Sequence, residues 1–149
     1  MSAHLSIQSA IVAALLAAPA LAGGNVQANT LRPVASSKSV ALVVRLLQSR
    51  AATPQILGGP YSWVTTFQIE CLARGATGGS EGAAAVDSLL ELAWQRLSTL
   101  SPAGLGVMDV RMAPAIDWQM DESETPLVAA VISLQVNHRT AAATLAAWS

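Results

Sequence analysis

The amino-acid sequence predicts an α+β domain: a mostly antiparallel sheet with a long C-terminal hairpin and two helices packed on one face. From Met108 to Met120 every second residue is apolar (Met108, Val110, Met112, Pro114, Ile116, Trp118, Met120). After the polar turn from Asp121 to Pro126, alternation resumes through Val128, Ala130, Ile132, Leu134 and Val136. Period-two alternation on both sides of a turn reads as an antiparallel hairpin with one buried face. Two further β-type runs lie upstream, and two stretches carry apolar residues at helical spacing. The order α-β-β-β-α-β-β contains no internal repeat and no separating linker, so the 149 residues read as one domain.

The first helix runs from Leu5 to Leu16, with Leu5, Ile11, Val12, Leu15 and Leu16 at i, i+3, i+4 spacing; Pro19 and Gly23-Gly24 end it. The segment also has the apolar core and A-x-A-like sites (Ala18-Pro19-Ala20, Ala20-Leu21-Ala22) of a signal peptide. No Lys or Arg precedes it, and Gln8 and Ser9 interrupt its approach, so a packed helix is the preferred reading. It falls short of the ~20 apolar residues that cross a bilayer. An extended piece around Asn25 to Arg32 follows, closed by Pro33. Ser39 to Leu47 reads as a strand with Val40, Leu42, Val44 and Leu46 on one face and Arg45 on the other. Ser49 to Pro60 is a loop holding an isolated Ile56-Leu57 pair, and its length usually marks function or disorder. Tyr61, Trp63, Phe67, Ile69, Cys71 and Ala73 mark the next strand.

A glycine-rich turn from Gly75 to Gly79 leads to Ser80, a good N-cap. The helix beyond it buries Val86, Leu89, Leu90, Ala93, Leu97 and Leu100, and turns Asp87, Glu91, Gln95 and Arg96 outward. Pro102 and Gly104 stop it, and the tail from Thr140 to Ser149 has room for one helical turn. A thirteen-residue strand spans about 43 Å, whereas a chain of this length is about 38 Å across. The hairpin is therefore expected to project from its globule and to favour assembly with other subunits.

Only 11% of the residues are charged and 52% are hydrophobic, against roughly 25% charged in ordinary soluble domains. A shell so poor in charge calls for burial against partners. A formal net charge of −1 leaves no basic stripe for nucleic acid. The one cysteine, Cys71, cannot make an internal disulfide. It falls on an apolar strand face, with His4 and His138 as its only imidazole partners, and reads as a structural thiol rather than a nucleophile. Gly75 to Ser80 lacks the Lys and the spacing of a phosphate cradle. Asp121, Glu122 and Glu124 lack the spacing of a calcium loop and read as a solvated hairpin tip, available as a docking contact. No G-x-S-x-G elbow is present. These residues predict no enzyme, no cofactor and no metal. Trp63 and Trp118 fit core faces of strands, Trp94 the edge of the helical stripe, and the near-terminal Trp148 a contact between subunits.

Several stretches share their order with one family: Asn29-Thr30-Leu31-Arg32-Pro33, Val43-Val44-Arg45-Leu46, Trp63 to Cys71, the Ala/Leu helix, Ile116-Asp117-Trp118, and His138-Arg139-Thr140. In this order and spacing the chain resembles the tail terminator proteins of long-tailed phages and gene transfer agents, the family related to minor tail protein U. The resemblance implies a structural virion protein: a subunit of a hexameric ring that caps the finished tail tube and joins it to the head connector. Its partners would be copies of itself, the tail tube protein and a head-completion protein, with DNA passing through the lumen and no membrane involved. Together with composition and pattern, it makes Arg32, Arg45, Ile56, Leu57, Asp117, Glu122, Glu124, Arg139 and Trp148 candidate interface residues. A head–tail connector or tail completion protein of the neck is the alternative within this class. Outside it stand an exported binding domain and a small hydrolase using Cys71.

Overall fold

The computed structural model describes residues 1–29, 40–52, 56–74, 79–121 and 127–148 and, within these, all side chains except those of 79–81 and 121. Two helices, α1 (Ala3–Leu16) and α2 (Gly79–Ser98), pack on one face of a five-stranded sheet. The strands are β1 (Val26–Ala28), β2 (Val40–Ala51), β3 (Tyr61–Arg74), β4 (Val107–Asp121) and β5 (Leu127–Thr140), in spatial order β1-β2-β3-β5-β4. Only the β1–β2 pair is parallel. The α+β expectation is therefore met.

Alternation sorts the strand residues as anticipated. Leu42 and Val44 of β2, Phe67, Ile69 and Cys71 of β3, and Ala130, Ile132, Leu134 and Val136 of β5 form the core beneath the helices. From α1 come Ile7, Ile11 and Leu15, and from α2 come Val86, Leu89, Leu90, Ala93 and Leu97. The far face is not simply polar: Ala41, Val43, Leu72 and Ala129 form a second buried cluster there. Gly82 lets α2 come close to β5, since a Cβ there would lie 2.9 Å from Val128 Cγ2.

Polar groups that looked incidental in the sequence fasten α1 in place. Gln8 and Asn29 exchange amide hydrogen bonds of 2.9 and 2.8 Å, and Gln8 Nε2 also donates to the Val44 carbonyl at 3.2 Å. Asn29 adopts φ 52°, which asparagine tolerates, and its Oδ1 also accepts from the Leu46 amide at 3.1 Å. Arg96, expected to face outward, instead donates to the carbonyls of Ala14, Leu15, Ala17 and Pro19. These are oxygens that the end of α1 cannot satisfy itself, and a cation suits that end of a helix. The buried face of α1 is Ala3, His4, Ile7, Gln8, Ile11 and Leu15, whereas Leu5 and Leu16 are exposed.

Four expectations about the strands and the tail are corrected. The hairpin does not project, because β5 pairs along its whole length with β3, from Thr140↔Tyr61 to Leu127↔Arg74, while β4 flanks its other side. A partner strand as long as β5 absorbs the ribbon into the sheet. The outer part of β4 is not buried: Ile116, Trp118 and Met120 re-enter register opposite Ile132, Ala130 and Val128 after a shift between Met112 and Ile116. They share the core face, but α2 lies mainly over β3 and β5, and Trp118 remains 44% exposed. Among its described residues the tail forms no helix; Ala147 bridges back to Thr140, and β2 runs to Ala51, beyond its expected end at Leu47.

Candidate subunit interface

The predicted site residues are distributed over separate parts of the sheet. Arg32, Glu122 and Glu124 lie outside the described residues, as do the glycine-rich turn at 75–78 and most of the acidic hairpin tip. Arg45 projects from β2 onto the helix-free face and is ion-paired with Glu70 of β3, which makes it a structural tie. Asp117 lies exposed on β4, an edge strand with no partner on its outer side among the described residues.

Ile56, Leu57, Arg139 and Trp148 gather at one end of the sheet. The β2–β3 loop leads into Tyr61, which pairs with Thr140. Its tip is a tight turn closed by the Gly59 amide donating to the Ile56 carbonyl at 2.9 Å. Ile56 is 74% exposed and Leu57 fully so. Arg139 pairs with Ser62, Arg50 pairs with Val64, and all four residues face away from the helices. The Trp148 amide donates to the Arg139 carbonyl at 3.0 Å. Gly106 fits between these backbones at φ 68°, where a Cβ would lie 2.7 Å from the carbonyl oxygens of both Arg139 and Trp148.

Two features were not legible in the sequence. One is a groove of about 490 Å³ between α2 and β4, lined by Asp87, Leu90, Glu91, Trp94, Gln95 and Ile116. It exists because the apolar stripe of β4 extends past the cover that α2 provides. A run of exposed apolar residues on an edge strand invites a partner. The other is a buried histidine pair. His138 Nε2 lies 2.8 Å from Thr65 Oγ1, which lies 2.9 Å from Ser49 Oγ. His4 of α1 meets His138 and Trp63 edge-on at 4.8 and 5.0 Å, and Trp63 Nε1 donates to Thr140 Oγ1 at 2.8 Å. Burial, reinforced by the neighbouring His4, pushes the His138 imidazole down to about 4, and burial lowers His4 as well. Both rings are thus neutral near pH 7. The apparently isolated His138 has a histidine neighbour that only the docking of α1 supplies.

The chemistry available is limited. Burial, then the nearby Glu70 carboxylate, pushes the Cys71 thiol up to about 12, so it is not a thiolate nucleophile near neutral pH. Among the described residues, no group of three or more His, Cys, Asp or Glu is placed to hold a metal ion, and no helix is long and apolar enough to cross a membrane.

No protein-family model matches the chain, and no curated protein matches it. Among solved structures, a chain of the virion of a native gene transfer agent particle is 17% identical at a TM-score of 0.60, with 89% of this chain and 94% of that chain covered. Another solved chain is 20% identical at a TM-score of 0.48, with 87% and 92% covered. The first similarity shows that the α+β architecture, over nearly its whole length, is a fold also found in a gene transfer agent virion.

Proposed function

We propose that the protein is a structural virion subunit that forms a ring, caps the completed tail tube and joins it to the head connector. The observation that carries this reading is the shared fold, extending over nearly the whole of a gene transfer agent virion chain. The surface supports it: apolar side chains of an edge strand lie open to solvent, on a chain with too few charges to keep a large free surface solvated. Function then resides in surfaces and not in a reactive group. Partners on this reading are further copies of the chain, the tail tube protein and a head-completion protein, with DNA crossing the lumen without sequence-specific contacts.

Deleting the gene and imaging lysates by electron microscopy tests the role. The reading expects filled heads without joined tails, together with tails of abnormal length, because nothing stops tube growth. Normal infectious particles contradict it. Tails of normal length that fail to join would instead assign the chain to the head-side completion step, the second reading within the same class.

A further inference from the structure

We propose that copies of this chain join by inserting the Ile56-Leu57 loop of one into the α2–β4 groove of the next; this rests on the ring-subunit reading. The loop is a knob. Its two apolar side chains stand open at the tip of a tight turn, where they contribute nothing to the core. The groove is the matching hole: Leu90, Trp94 and Ile116 line it with apolar surface, and its volume accommodates two aliphatic side chains.

Charge identifies the occupant. Asp87 and Glu91, one turn apart on α2, border the groove, and neither has an ion-pair partner among the described residues. The one cation nearby on α2, Arg96, is committed to the carbonyls at and just beyond the end of α1. Near the knob, Arg50 and Arg139 are exposed on one face of the sheet, again without ion-pair partners among the described residues. The closest acid along that edge, Asp109, is held by Arg111. An apolar knob flanked by two arginines complements an apolar groove bordered by two carboxylates.

The two features cannot meet within one molecule. The groove residue Ile116 is in line, through Ile132, with Ile69 of β3, which is eight residues from the loop end at Tyr61 and so about 26 Å along the strand. The groove also opens on β4, two strands over from β3. A second copy must fill it. Because knob and groove are different surfaces, the contact is head-to-tail, the kind that closes into a ring when the rotation between copies permits.

The test is disulfide trapping in the full chain with Leu57→Cys and Glu91→Cys combined, Cys71 being buried, followed by native mass spectrometry. The proposal predicts an oxidant-dependent ladder of covalent oligomers that neither single variant yields, and loss of self-association in Leu57→Asp, whose exposed site carries no folding role. A closed ring with no ladder, and with Leu57→Asp still assembled, overturns this contact while leaving the ring reading intact. A ladder without a closed ring supports the contact and contradicts the ring. Neither ladder nor ring overturns both.

Discussion

Burial on the core side of β5 holds the His138 imidazole at about 4 in the folded protein, whereas an unfolded chain binds that proton from about 6.5 downward. Between those values the unfolded state carries more protons, so stability is full above about pH 6.5 and declines as pH falls toward 4. The thermal midpoint should therefore drop between pH 7 and 5, above the range where most carboxylates titrate, and His138→Asn should flatten that slope. Scanning calorimetry of both proteins checks it; parallel slopes would contradict the assignment. Cys71 offers the opposite case. Buried and held as a thiol, it contributes packing, so Cys71→Ala should cost about 1 kcal/mol and leave assembly intact. That it is a core residue was legible from its place in the β3 alternation. The His4–His138 contact was not, because it joins residues at opposite ends of the chain.

At the scale of elements, α1 is both a packed helix and a clasp. Leu15→Ala should cost roughly 2–5 kcal/mol through the cavity it leaves, and Arg96→Met should cost about 1–2 kcal/mol, chiefly by removing the donor to the part-buried carbonyls of Ala14 and Leu15 at the end of α1; chemical denaturation measures both. Equal stability of Arg96→Met and the parent would show that the clasp is dispensable. The existence of α1, α2, β2, β3 and β5, and the helix-side faces of the last four, could be read from periodicity; the buried face of α1 could not, since it mixes His4 and Gln8 with Ile7, Ile11 and Leu15 and leaves Leu5 and Leu16 outside. The surroundings of β4 could not. Its alternation is as regular as that of β5, but whether a face is covered depends on how far α2 reaches across the sheet, which no local pattern encodes. Trp118 follows from this: a residue expected in the core is half open, so Trp118→Asp should leave the melting midpoint nearly unchanged while weakening self-association. A large drop in midpoint would instead restore it to the core.

For the whole molecule, sequence patterning led to one sheet with helices on one side, and the fold agrees. It also suggested a projecting arm, which the matching length of β3 removes. Among the candidate interface residues, Ile56, Leu57 and Arg139 come together at one sheet end, while Arg45 is spent on Glu70 and Asp117 lies apart on β4. The central claim is that such surfaces serve assembly into a closed ring. Native mass spectrometry of the purified chain, with cryo-electron microscopy of intact particles, tests it most directly. A single closed species of about six copies, seated between tail tube and head, is the predicted result; a monomer docked singly on the particle would contradict it.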